Sequence, residues 1–312
     1  VDVYTILPDN VAMEKVTIVE VCPRDGLQNE KIPLHPDQRI DLIHQLAAAG
    51  ARRIEAVSFV NPKLVPQMAG AEEVMAGLDR GRGVAYSGLV LNRKGAERAL
   101  AAGVDEINVV VPSTEAMSRA NQNVGVAEMT AAALDIAEQC RSAGVPVTIS
   151  LAVAFGCPFE GAVTVDRVAA LMAQVAPAAD ELALADTIGV GVPGQVRALV
   201  AAAGREAPGV PLRFHFHNTR NTGYANAEAA MREGVVILDA SVGGFGGCPF
   251  SPGASGNIGT EDLDYLATAS GFDTGLDRPT LVATTEWLSE LLERQAPAML
   301  GRAAMYPPAL AS

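Results

Sequence analysis

Two histidines stand two residues apart in the run 211–217 (PLRFHFH). Its composition suits a β-strand, whose side chains alternate, so His215 and His217 share one face while Phe214 and Phe216 take the other. The chain holds four histidines in all, so half of them sit in this pair. Two imidazoles on one face form a metal-ligand pattern, and a pair of buried, hydrogen-bonded core histidines is the competing explanation. Other reactive groups fall in or just after similar β-rich runs. Arg24 and Asp25 follow 16–22 (VTIVEVC). Glu55 lies within 53–58 (RIEAVS) and Ser58 ends it. Asn108 lies within 105–111 (DEINVVV), and Asp186 and Thr187 close 181–186 (ELALAD). Cys248 and Asn257 lie in the glycine-rich stretch that runs from Ser241 to Leu263.

The chemistry of each group can be weighed separately. Two imidazoles with the Asp25 carboxylate and the Asn257 amide form a mostly hard donor set. That set suits Mg²⁺ or Mn²⁺ better than a closed zinc site, with Zn²⁺ as the alternative. Arg24 carries a permanent charge on a rigid donor fork, suited to an oxygen on which negative charge develops. Glu55 would orient that fork, unless the pair is a plain structural salt bridge. Glycine costs backbone entropy, so a cluster of them needs a reason. Around Cys248 the reason would be a loop that carries a thiol over a bound substrate and excludes water, against the alternative of a buried loop cysteine. Cys22, Cys140 and Cys157 read as inert filler. No two cysteines form a C-x-x-C pair, and a reducing cytoplasm is the expected compartment.

These groups need a scaffold that brings them to one place. Eight β-rich runs (16–22, 53–58, 84–90, 105–111, 146–152, 181–186, 211–217 and 236–242) alternate with eight helical runs. The helical runs lie near 37–49, 66–78, 94–102, 124–143, 164–176, 193–204, 222–233 and 260–269. Pro36-Asp37, Thr164 with Asp166, and Thr260-Glu261-Asp262 supply helix-start signals. Eight such units predict an α/β fold of the (β/α)8 TIM-barrel type, with catalytic groups at the C-terminal ends of the strands. A doubly wound open sheet is the alternative, but its first turn would be glycine-rich, and here it reads PRDGLQNE. Residues 1–15 form a lead-in and 16–276 the barrel. Residues 277–312 form a helical extension, with one or two helices expected over 277–298. That extension would either cap the barrel or build a homodimer contact.

Composition narrows the partners. A net charge of -13 disfavours nucleic acid, whose phosphates need a basic face. No apolar run reaches the length of a membrane span, and the first residues lack the pattern of a secretory signal. Of the four lysines, Lys31, Lys63 and Lys94 follow the first three strands. They are expected to rim one arc of the mouth and receive a polyanionic tail such as the phosphates of coenzyme A, unless they are only solubilising charge.

Several stretches together resemble the 3-hydroxy-3-methylglutaryl-CoA lyase family, within the wider group of TIM-barrel metallolyases with an Asp-Arg-Glu triad. They are VEVCPRDGLQNEK (19–31), IEAVSFVNPKLVPQMA (54–69), AFGCPFEG (154–161), LADTIGVGVPG (184–194), HFHNT (215–219) and GGCPFSPGASGNIGTEDL (246–263). The resemblance covers roughly 15–290 with the motifs in order. It implies cleavage of a tertiary 3-hydroxyacyl-CoA to acetyl-CoA and a β-keto acid such as acetoacetate. It implies a divalent cation on Asp25, His215, His217 and Asn257. Arg24 would stabilise the enolate oxygen, Cys248 would act as acid and base, and Glu55 and Asp186 would support catalysis. Gln28, Ser58, Asn108 and Thr187 would join the lysines in binding the acyl-CoA. The alternatives are a related aldolase or condensing enzyme, and a non-catalytic barrel that binds a CoA thioester. After the histidines the family pattern is of the type DTYGQALAN, whereas here Asn218 to Asn226 read NTRNTGYAN. Asn218 lacks the carboxylate, and Arg220, Asn221 and Tyr224 are expected to alter the substrate wall. Cys22 also stands where a glycine is typical.

Overall fold

A computed structural model describes residues 13–247 and 256–303. Eight parallel strands close into a barrel. They are β1 (Thr17–Glu20), β2 (Arg53–Ser58), β3 (Ala85–Val90), β4 (Glu106–Pro112), β5 (Val147–Ala152), β6 (Glu181–Asp186), β7 (Leu212–Phe216) and β8 (Ile237–Ala240). Each overlaps a β-rich run expected from the sequence, β4 running one residue past its run to Pro112. Closure is made where β8 pairs with β1, Ala240 opposite Glu20. In β2 the register slips between Glu55 and Val57, a bulge that bends the strand just below its rim.

Ten helices occur among the described residues: α1 (Pro36–Ala48), α2 (Ala71–Gly77), α3 (Arg93–Ala101), α4 (Glu115–Gln122), α5 (Val126–Ala143), α6 (Val165–Val175), α7 (Pro193–Glu206), α8 (Gly223–Arg232), α9 (Thr260–Ala269) and α10 (Arg278–Leu291). None is long and apolar enough to cross a membrane. Thr164 caps α6 as expected, its hydroxyl accepting from the Arg167 amide at 3.3 Å. Thr260 begins α9 but does not cap it. Its hydroxyl donates instead to the buried Glu20 carboxylate at 2.7 Å.

Two expectations need correction, and a third region carries one of the one or two helices expected there. The helix foreseen over 66–78 is broken into a short 3-10 turn at Pro66–Met68 and α2, because Gly70 takes a left-handed conformation at φ 72 between them. The short helix α4 was not foreseen. It follows Pro112, and Thr114 caps it through the Met117 amide. The stretch 277–298 holds one helix, α10, and then an irregular segment.

The apolar core lies between the strands and their helices. Ile54, Ile107, Ile149 and Phe214 pack there with Leu42, Ile43 and Met172, all fully buried. Burying each such side chain contributes roughly 1.5–3 kcal/mol. The barrel interior differs from the branched apolar layers usual in this architecture. Arg53 of β2 reaches Glu106 of β4 and Glu181 of β6, strands that are not its neighbours, so these ion pairs cross the inside of the barrel.

Candidate active site

The site begins where β1 ends. Cys22–Gly26 forms a single π-helical turn with Pro23 in its first positions. The Val21 carbonyl accepts from the Arg24, Asp25 and Gly26 amides. The turn lifts Arg24 and Asp25 to the mouth of the barrel. Gly26 permits it, since a Cβ there would come within 2.8 Å of Ser241 Oγ.

Asp25 meets both histidines. Its Oδ2 lies 3.9 Å from His215 Nε2 and 3.8 Å from His217 Nε2. One donor atom from each of the three lies within 4.8 Å of the others. The rings share a face as strand alternation requires, with centroids 5.0 Å apart. Asn257 arrives from the far side of the glycine-rich stretch. A backbone bridge pairs it with His217, and its side-chain amide donates to Asp25 Oδ2 at 2.8 Å and to the Phe245 carbonyl at 3.0 Å. A Cβ on Gly246, at φ 119, would collide with that amide at 2.5 Å. This glycine is bare because Asn257 needs its space.

The donor set fits a divalent cation. The Asp25 carboxylate is buried, which alone would raise its pKa. The Arg24 guanidinium and the two imidazoles outweigh burial and hold it well below the ordinary value. Burial pulls the His217 pKa down, which keeps the ring in its neutral, ligating form. Burial also acts on His215, but the hydrogen bond it donates to Asp239, with the charges of Asp25 and Asp239, overrides burial and draws the pKa up. That bond joins His215 Nδ1 to Asp239 Oδ2 at 3.1 Å. A carboxylate at Nδ1 leaves Nε2 free to ligate. The Nδ1 of His217, by contrast, is buried with no hydrogen-bond partner among the described residues.

Arg24 is gripped from two sides. Its Nε donates to Glu55 Oε1 and its Nη1 to Asp25 Oδ1. Glu55 also accepts from Asn108 Nδ2 at 2.6 Å, and Asn108 Oδ1 accepts from the Ser150 hydroxyl at 2.7 Å. The chain from Ser150 to Arg24 thus fixes the guanidinium on the wall of a cavity of about 720 Å³. Arg24, Asp25, Gln28, Asn108, Thr187 and both histidines line it. Thr187 is oriented by a strained residue. Val153 holds φ 52, an outlier for a β-branched side chain, and its amide donates to Thr187 Oγ1 at 2.9 Å. The threonine hydroxyl is therefore left to donate into the cavity.

Other expected site residues fall elsewhere. Asp186 does not line the cavity, although Ala185 and Thr187 on either side do. Its carboxylate accepts from the Val190 and Gly191 amides, both at 2.9 Å, and so shapes the loop after β6. Ser58 is fully buried, away from the cavity wall. Lys31, Lys63 and Lys94 are exposed and off the cavity lining, though Asn61, Leu64 and Asn92, close to them in sequence, form its lip. Cys248 lies outside the described residues. The departures after His217 do not alter the cavity wall. Asn218 Oδ1 accepts from the Gly223 amide at the start of α8. Arg220 holds the Ile188 and Gly189 carbonyls. Asn221 accepts from Asn218, and Tyr224 donates to Asp262 while accepting from the Gly259 amide. All four brace loops around the site.

Sequence reasoning missed Asp239 and Arg213. Both are lone charges in otherwise apolar strands, and Arg213 shares the face of His215 by alternation. Both lie deep in their strands, where an isolated charge carries no local signal of its partners. Two further buried carboxylates flank the glycine-rich stretch. Glu20 accepts from the Val242 amide and Glu261 from the Gly243 amide. Burial raises both pKa values to about 7.

A closed β/α barrel whose strand ends gather two imidazoles, two carboxylates and an arginine has the fold and the candidate site of a barrel enzyme. The HMGL-like family model matches residues 15–288, and the chain belongs to that family. It is 44% identical over 307 residues to an (R)-citramalyl-CoA lyase of Chloroflexus aurantiacus, covering 95% of this chain and 97% of the relative. It is 43% identical to a hydroxymethylglutaryl-CoA lyase of Pseudomonas mevalonii, covering 85% and 88%. Among solved structures, an HMG-CoA lyase of Acinetobacter baumannii in complex with coenzyme A and 3-methylmalate superposes with TM-score 0.89 at 39% identity, covering 94% and 96%.

Proposed function

We propose that the chain is a divalent-metal-dependent carbon–carbon lyase. Its substrate is 3-hydroxy-3-methylglutaryl-CoA or a related 3-hydroxy-3-alkyl acyl-CoA, and its products are acetyl-CoA and a β-keto acid such as acetoacetate. What carries the proposal is the meeting of Asp25, His215 and His217 within 4.8 Å, with Arg24 on the same cavity wall. Identity with a citramalyl-CoA lyase favours a second substrate, citramalyl-CoA, which offers the same kind of bond for cleavage.

Asp25, His215, His217 and Asn257 would hold Mg²⁺ or Mn²⁺. Asn257 would turn its amide so that the oxygen, rather than the nitrogen, faces the ion. When bound, the cation supplies Lewis-acid stabilisation of charge on the substrate's oxygens. Arg24, locked by Glu55, places its donors where the thioester oxygen gains negative charge as the C2–C3 bond breaks. The bonding electrons pass into the thioester enolate, and the C3 oxygen becomes the ketone of the acid product. The hydroxyl gives up one proton and C2 gains one, so the reaction needs acid–base exchange but no net proton. Cys248 is assigned that exchange. Thr187 and Asn108 orient the acyl part, and Gln28 borders it. Lys31, Lys63 and Lys94, exposed and off the cavity lining, would meet the phosphates of coenzyme A.

Release of acetyl-CoA from a panel of thioesters tests this. The panel should hold 3-hydroxy-3-methylglutaryl-CoA, citramalyl-CoA and longer 3-alkyl homologues, each with Mg²⁺ or Mn²⁺. At least one is expected to turn over, with EDTA lowering the rate by about 100-fold or more and added cation restoring it. Failure to cleave every member in the presence of cation would remove the lyase assignment and favour a binding protein.

A further inference from the structure

Asp239 sits between two donors. Its Oδ2 faces His215 Nδ1 at 3.1 Å, and its Oδ1 accepts from Arg213 Nε. Both residues are nearly inaccessible, Arg213 at 1% and Asp239 at 5%, and Asp239 borders the cavity floor while its carboxylate is held by these two partners. Arg213 continues to Glu181, its Nη1 lying 3.5 Å from Oε1. Glu181 is held independently, by the Thr148 hydroxyl at 3.0 Å and by Arg53 at 2.8 Å. A chain of buried hydrogen bonds therefore runs from the floor of the barrel up to one histidine of the candidate metal site.

We infer that Asp239, oriented by Arg213, is a positioning residue that sets the metal affinity of the site by fixing the tautomer of His215. The inference rests on the metal reading above. Only a carboxylate satisfies both neighbours, because each of its oxygens receives one donor. An amide in the same space must turn its NH₂ toward one of them. Turned toward His215, it makes Nδ1 an acceptor, moves the ring proton to Nε2 and blocks ligation. Turned toward Arg213, it sets donor against donor inside the barrel. The two side chains are thus coupled, and removal of the arginine donor should relieve the amide.

The test is Mn²⁺ binding to the free protein, without substrate, by calorimetry or by loss of the free-ion electron paramagnetic resonance signal. Asp239→Asn is expected to weaken Mn²⁺ binding by about 10–100-fold, the usual effect of losing such a partner of a ligating histidine. Adding Arg213→Met to Asp239→Asn should recover part of that loss, because the amide can then turn its oxygen to His215. A merely structural role would lower the melting temperature of the metal-free protein without this recovery. Unchanged Mn²⁺ affinity in Asp239→Asn, or no recovery in the double variant, overturns the inference and leaves the metal reading standing. Should Asp239→Asn not fold, Arg213→Lys serves in its place. Lysine keeps the charge but lacks the Nε–H aimed at Asp239, and a wild-type Kd for Mn²⁺ in that variant would be the overturning result. A wild-type protein that binds no Mn²⁺ defeats both readings together.

Discussion

Arg24→Met is expected to lower kcat by about 10²–10³-fold, the effect typical of removing a donor from a developing oxyanion. The size follows from the confinement of the guanidinium. It is only slightly exposed and paired with Glu55 and Asp25, and among the described residues no other lysine or arginine lines the cavity to replace it. Arg24→Lys should fall between the two, since it keeps the charge but not the fork that spans both carboxylates. KM should change less than kcat, because the donor matters most once charge has moved onto the thioester oxygen. Asp25 gives a second readout. It loses the cation that chiefly holds its pKa down, so metal binding by Arg24→Met should weaken more steeply than wild type as the pH is lowered. Steady-state kinetics and Mn²⁺ titration between pH 5 and 8 measure both effects. A kcat within about threefold of wild type would show that Arg24 is a structural salt bridge and no more.

Cys248→Ser is expected to reduce kcat by about 10²–10⁴-fold while leaving Mn²⁺ affinity unchanged. General acid–base groups contribute on that scale, and a serine hydroxyl exchanges protons poorly near neutral pH. The separation of effects is the important part. The four proposed metal ligands are Asp25, His215, His217 and Asn257, with Cys248 assigned to proton exchange, so a variant at 248 should bind metal normally and fail in proton exchange. Wild-type kcat in Cys248→Ser would assign proton exchange to another group, and lost Mn²⁺ affinity would mean that the cysteine belongs to the metal site.

Much of the scaffold was legible because two signals agreed. Apolar β-rich runs and capped helical runs alternated eight times, and most of the reactive groups fell within or just after six of the eight β-rich runs. His215 and His217 were readable from strand alternation alone. Arg24, Asp25 and Asn257 needed the barrel to bring them together across more than 230 residues. The misreadings share a physical cause. Asp186 and Thr187 are adjacent, and adjacent residues at a strand end face opposite ways, so only Thr187 reaches the cavity. Asn218, Arg220, Asn221 and Tyr224 look like substrate contacts in a linear motif, but the turn before α8 and the first turn of α8 direct them to one another and to groups of neighbouring loops. Asp239 and Arg213 were passed over because charged residues are unusual inside a barrel, where branched apolar side chains are the rule. That the interior carries ion pairs follows from partners on five different strands, which no local pattern announces.

The central proposition is that one divalent cation sits among residues from three separate segments of the chain. Crystals grown with Mn²⁺, with anomalous differences measured at the manganese edge, examine it directly. The expected result is a single strong peak about 2.0–2.3 Å from the Asp25 carboxylate, the Nε2 atoms of His215 and His217, and the Asn257 side-chain oxygen. A peak elsewhere, or one from which either imidazole is turned away, would contradict it.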